Sequence, residues 1–122
     1  MGYKIIVFVV ALSLVYSTSA IPGKASFYTK SIPSACYKNE TQEGNMVASV
    51  GDSLWNNGTI CGKKIQVRCT AAKGCKGSKM VTVKVIAHCI GCGPRINLSY
   101  SAFTSIVNID EAIIIDIDYQ LL

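Results

Sequence analysis

The chain has 122 residues, 50% of them hydrophobic, with 12 Lys and Arg against 7 Asp and Glu for a formal charge of +5, and it carries six cysteines. That length suffices for one small domain with a modest core and excludes two. The basic excess forms neither a basic helix nor a nucleic-acid-binding motif, which excludes nucleic acid as the partner of an exported chain.

In chain order the first element is a leader. Lys4 precedes an apolar run from Ile5 to Val15, and Tyr16-Ser17-Thr18-Ser19-Ala20 ends in small residues, the pattern of a secretory signal peptide cut after Ala20. The run is far shorter than the roughly 20 apolar residues a bilayer requires. The later apolar stretches, 80–87 and 112–119, are short and contain charges, so no membrane span is expected. Residues 21–122 are therefore expected as one soluble domain in the extracellular space. There Cys36, Cys61, Cys69, Cys75, Cys89 and Cys92 should form disulfides. For six cysteines about 15 connectivities are open.

The next elements are strands. Short candidates lie at Ala25–Tyr28 and Met46–Ser49, bounded by turn-forming residues. Ile65, Val67 and Cys69 alternate with Gln66, Arg68 and Thr70, and Val81, Val83 and Val85 alternate with Thr82 and Lys84, as half-buried strands require. A short strand at Ile96–Leu98 leads to Ser99, which is placed to cap one brief helix whose Ala102, Phe103 and Ile106 share a face. A last strand sets Ile113, Ile115, Ile117 and Tyr119 away from Asp116 and Asp118. Loops fall at 31–45, at Asn56-Asn57-Gly58 and at 71–79. Six or so short strands with one helix predict a small closed or nearly closed β-barrel.

Charge is distributed unevenly along this frame. Lys63, Lys64, Arg68, Lys73, Lys76, Lys79 and Lys84 crowd one stretch, while Asp110, Glu111, Asp116 and Asp118 crowd the C-terminal end. A basic face of this kind attracts acidic partners such as pectin-like polysaccharide or anionic lipid heads, or simply keeps an exported protein in solution.

Several stretches occur in an order and spacing that belong together. They are Gly23-Lys24-Ala25-Ser26-Phe27-Tyr28, Pro33-Ser34-Ala35-Cys36, Leu54-Trp55-Asn56-Asn57-Gly58 followed by Cys61-Gly62, Val67-Arg68-Cys69, Val83-Lys84-Val85-Ile86 before Cys89, and Asn97-Leu98-Ser99 with Ala102-Phe103. Over nearly the whole mature length the chain resembles the barwin and expansin-like domains, most of all the plant natriuretic peptide-like and endoglucanase-45-like secreted proteins. The resemblance implies a six-stranded double-psi β-barrel. It also implies the pairings Cys36 with Cys61 and Cys69 with Cys75, which leaves Cys89 for Cys92.

Three chemistries compete for the segment IAHCIGCGPRINLS, which holds His88, the sole histidine. His88, Cys89 and Cys92 supply three of the four ligands zinc needs, but no fourth is near in sequence and the cysteines have disulfide partners, so neither metal nor cofactor is expected. A redox CxxC pair sits at a helix N-terminus, whereas this one follows a strand and runs into Gly93-Pro94. Glycoside hydrolysis needs two carboxyl groups. The resemblance puts the hydrolytic relatives' first aspartate at Ala87-His88 and the second at Asn97, so His88 and Asn97 mark degenerate active-site positions. Asp52 matches neither position, and His88 is expected to stand without a partner acid. The chain is therefore expected not to be an enzyme.

Asn39, Asn57 and Asn97 each begin a glycosylation sequon. Trp55, the sole tryptophan, is expected chiefly as buried packing, with sugar stacking as the functional alternative. Tyr28 is a further possible ligand contact. The resemblance to plant natriuretic peptides implies a secreted, monomeric, non-enzymatic regulator of the apoplast with a systemic role in water and solute homeostasis. Its partner would be a cell-surface receptor or acidic wall polysaccharide, recognised through residues 33–69. The alternative is a non-hydrolytic protein that binds or loosens cell-wall polysaccharide, as expansins do.

Overall fold

A computed structural model describes residues 20–29, 34–37 and 46–122. The expected leader up to Ser19 and the sequon residue Asn39 lie outside these residues.

Six strands close into a barrel: β1 (Ile21–Tyr28), β2 (Val47–Val50), β3 (Lys64–Cys69), β4 (Met80–His88), β5 (Ile96–Ser99) and β6 (Ile115–Leu121). Their order around the barrel is β1-β5-β2-β4-β3-β6. The β1/β5 and β2/β4 pairs are parallel and the other four are antiparallel. Closure leaves no free sheet edge, which a small β-domain would otherwise have to shield from other chains. The alternating residues behave as their pattern requires. Ile65, Val67, Val83, Val85, Ile96, Leu98 and Ile117 point inward and are buried, while Arg68, Thr82 and Asp116 stay at the surface.

One helix, Tyr100–Ile106, closes part of the barrel. The Ser99 hydroxyl accepts from the Ala102 amide at 3.2 Å, which satisfies a donor left open at the first turn. Ala102, Phe103 and Ile106 are buried on its inner face, and Phe27 packs on Phe103 with ring centroids 4.9 Å apart. A second, four-residue helix was not legible in the sequence. With α1 (Asp52–Trp55) numbered first, the Tyr100–Ile106 helix is α2. A 3-10 turn, Asn56–Gly58, follows α1. Asn56, Asn57 and Gly58 all have positive φ (45°, 53° and 83°), which asparagine and glycine tolerate best.

The last strand begins later than its alternation suggests. Ile113 and Ile114 are 62% and 51% exposed, because the chain bends there and joins the ladder only from Ile115. Three disulfides staple the domain: Cys36–Cys61, Cys69–Cys75 and Cys89–Cys92. The first closes the longest loop and removes the most unfolded-chain entropy, about 3 kcal/mol.

Candidate functional site

The register decides which side chains share a face. Ser26 lies opposite Asn97, Asn97 opposite Ser49, and Ser49 opposite Ala87, so one rung crosses β1, β5, β2 and β4. Neighbours on a rung point to the same side, here outward, because Ala25, Ala48, Ile96 and Leu98 fill the inside. The Ser26 hydroxyl donates to Asn97 Oδ1 at 3.0 Å. Two residues along β1 on the same face, Tyr28 has a buried hydroxyl with no hydrogen-bond partner, and burial raises its phenol above the usual value.

His88 is not on this face. A bulge at the β2/β4 ladder lets Ala48 pair with Val85 and Ser49 with Ala87, so His88 falls level with Val50 and Ile96 at the barrel rim. Ala87, rather than His88, therefore faces the same way as Asn97. Ala87 and Ser49 are each only 1% exposed. Val47, Ile86 and Ala87 form a small apolar cluster under Tyr37. The segment over it is tied down by the Cys36–Cys61 bond, by the Cys36 amide on the Ile86 carbonyl, and by the Ser34 hydroxyl on that same carbonyl.

At the rim, the expectation that His88 lacks a partner acid is corrected. Its Nε2 donates to Asp52 Oδ1 at 2.7 Å, and Asp52 Oδ2 accepts from the Gly91 amide at 3.0 Å. The His88 hydrogen bond, supported by the Gly93 and Gly91 amides, holds the Asp52 carboxyl below the usual carboxylate value against partial desolvation. Asp52 and His88 are far apart in sequence, and the parallel β2/β4 pairing brings them together, which no local motif announces. Trp55 is half-buried rather than buried. Its indole stacks on the His88 ring at 4.6 Å and 7°, and it also packs on the core. One aromatic face is thereby taken by a protein ring instead of a ligand.

The loop from Cys89 to Arg95, which carries Gly91 and Gly93, is stitched to the start of α1 by its backbone. Gly51 donates to the Arg95 carbonyl at 2.8 Å and Ser53 to the Gly93 carbonyl at 3.0 Å. A Cβ on Gly51 would collide with the Gly93 carbonyl and lie 3.0 Å from that of Arg95, so only glycine permits this approach. No group of three or more His, Cys, Asp or Glu side chains suited to a metal occurs among the described residues.

The sequons differ in presentation. Asn57 stands exposed in its left-handed turn, whereas Asn97 is half-buried with its amide oxygen engaged by Ser26.

With this geometry the comparisons can be read. Residues 47–119 match the family model of double-psi β-barrel proteins described as lytic transglycolase. The chain is 43% identical to EG45-like domain containing protein 1 of Arabidopsis thaliana, over 98% of each chain. It is 40% identical to an EG45-like domain containing protein of Citrus jambhiri, over 89% of each. The chain belongs to the EG45-like, double-psi β-barrel family. Among solved structures it is similar to a mutant Clavibacter michiganensis expansin in complex with cellohexaose, with 26% identity and a TM-score of 0.67 over 84% of this chain. The chain spans about half the length of that expansin, 50%. A Streptomyces papain inhibitor shares the fold, at 20% identity and a TM-score of 0.66 over 86% of this chain and 96% of that one. The expected six-stranded double-psi barrel is the observed fold.

Proposed function

We propose that this EG45-like protein is a secreted, non-hydrolytic plant wall protein that holds polysaccharide on the outer face of β1 and β5; a similar expansin in complex with cellohexaose supports polysaccharide as the class of ligand. The observation that carries this reading is the fate of the two positions where hydrolytic relatives are expected to place carboxylates. One is Ala87, sealed beneath Tyr37, and the other is Asn97, whose amide is bonded to Ser26. An alanine and an amide supply no proton to a glycosidic oxygen and no base to water, and hydrolysis requires both roles. The Asp52–His88 pair does not replace them, since it lies at the rim, off the rung that carries Asn97. Three disulfides support export, because such bonds persist in oxidising compartments. No helix among the described residues is long and apolar enough to cross a membrane.

The test is a pull-down of the disulfide-bonded protein on cellulose, xylan and pectin, with reducing-sugar release measured in parallel. Retention without release is the expected result, and release of reducing ends by pure protein overturns the reading.

A second reading, a natriuretic peptide-like regulator of water and solute balance, draws on the exposed cations. Lys63, Lys64, Lys73 and Lys79 are exposed and make no ion pair among the described residues, which suits long-range attraction to an acidic receptor. Saturable binding to protoplasts in the absence of any polysaccharide retention would favour it over the wall reading.

A further inference from the structure

The outer face that is closed at Ala87 is open at its other end. Lys24 and Arg95 continue the alternation of Ser26 and Asn97 by two residues each, and they border a pocket of about 590 Å³. That volume lies within the range of small-ligand sites, about 300–1,000 Å³. Pro22, Pro94 and the half-exposed Ile114 give it apolar walls.

Its charges are not equivalent. Lys24 Nζ is 2.6 Å from Asp116 Oδ1, so these two largely neutralise one another. Arg95 has no carboxylate within ion-pair distance among the described residues; its guanidinium reaches only Cys92 Sγ, at 3.6 Å. Its Nε is buried and makes no hydrogen bond. A buried donor without an acceptor is unfavourable, so such a group points to a missing partner. The arginine is also held in place. Its amide donates to the Cys92 carbonyl at 3.1 Å and its carbonyl accepts from Gly51 at 2.8 Å, just beyond the loop closed by Cys89–Cys92. The backbone at Arg95 is thereby fixed beside the pocket, and a guanidinium presents a planar fork that pairs with a planar anion in two-point fashion.

We propose that the pocket between Pro22, Pro94 and Ile114 binds the carboxylate of a uronate unit in an acidic polysaccharide, with Arg95 as the recognising group. This rests on the polysaccharide-binding reading and narrows it to a carboxylate-bearing chain. The C–H face of the sugar ring lies on the apolar walls while its carboxylate pairs with Arg95. The chain then runs along β1 and β5, whose Ser26 and Asn97 are matched to hydroxyl-rich ligands. An acidic peptide would satisfy Arg95 equally but makes no use of that hydroxyl and amide row.

The experiment titrates the intact disulfide-bonded protein with oligogalacturonate, its methyl ester, cellohexaose and an oligoglutamate peptide. Oligogalacturonate should bind, and Arg95→Gln should weaken it about tenfold or more, the effect of losing a hydrogen bond to a charged group. Esterification should cause a similar loss, Arg95→Lys an intermediate one, and Lys73→Gln in the remote basic stretch less than a twofold one. Ile114→Ser, at the exposed wall and clear of the loop, should weaken both acid and ester, so the assignment stays testable if Arg95→Gln fails to fold. Equal binding of ester and acid, or of cellohexaose with Arg95→Gln unaffected, overturns the carboxylate site while leaving the wall reading intact. Equal losses in Lys73→Gln and Arg95→Gln overturn it in favour of diffuse charge attraction. Tighter binding of oligoglutamate overturns the choice of occupant, and retention of no sugar overturns both readings.

Discussion

At the β2 and β4 side of the outer face, Ala87 is sealed under Tyr37 and Ser49 opposite it is buried, while at the β1 side Lys24 and Arg95 border open space. The two ends belong to one continuous sheet surface, so backbone register does not distinguish them. What differs is the covering. The closed end has a methyl group where a carboxylate would need water, and a bulge at Ile86 adds a second apolar side chain to the patch. The open end has a charge, that of Arg95, with no ion pair among the described residues. The positions expected to hold catalytic carboxylates thus lie at the closed side, and the proposed carboxylate-binding pocket lies at the other.

Restoring a carboxylate is the strongest way to break this contrast. Ala87→Asp would bury an unpaired charge, which costs on the order of 3–5 kcal/mol, and thermal unfolding should show a large drop without any gain of hydrolysis. Asn97→Asp at the half-buried neighbour keeps the Ser26 hydroxyl as a donor, so its cost should be no more than about 1 kcal/mol. If Ala87→Asp unfolds no more easily than Asn97→Asp, the closed end is in fact wet. Between the two in size stands Gly51→Ala, which forces a methyl into the Gly93 carbonyl and should cost about 1–3 kcal/mol by overpacking. Because that contact docks the loop carrying Arg95, the same variant should lose oligogalacturonate binding beyond what its stability loss explains, while Ser99→Ala, which removes the α2 cap at about 1 kcal/mol, should leave binding unchanged.

The barrel was legible because its strands alternate. Val81, Val83 and Val85 can bury one face only as a strand, and Ser99 followed by Ala102, Phe103 and Ile106 encodes both the start and the inner side of α2. The site was less so. Asp52 meets His88, and Ser49 meets Ala87 and Asn97, only through long-range pairings, which leave no local spacing to read. The bulge at Ile86 shifts the parity of β4 by one residue, and that single step exchanges Ala87 and His88 between outer face and rim. Arg95 carried a faint signal, since Arg95, Asn97 and Ser99 alternate with Ile96 and Leu98. Ile113 misled for the opposite reason, as an apolar residue in phase with Ile115 that the bend before β6 leaves in solvent.

The smallest expected effect concerns the rim, and it separates loop anchoring from catalysis. His88 and the Gly93 and Gly91 amides hold the folded Asp52 carboxyl below its ordinary value of 3.8. For a depressed carboxyl the contribution to stability is fully present above the unfolded pKa and disappears as pH falls through the lower folded one. The unfolding midpoint of the native chain should therefore exceed that of Asp52→Asn around neutral pH, and the gap should close only as the medium is acidified below the 3.8 of a free carboxyl. His88→Ala should remove most of the gap, because its hydrogen bond is the largest cause of the depression. A gap that persists undiminished in strong acid would mean that Asp52 serves as a neutral capping group and the His88 contact is incidental. A stability gap that closes on acidification, together with oligogalacturonate binding that survives Asp52→Asn at neutral pH, would identify the pair as a clasp on the Cys89–Arg95 loop. The arginine would then remain the group that meets the ligand.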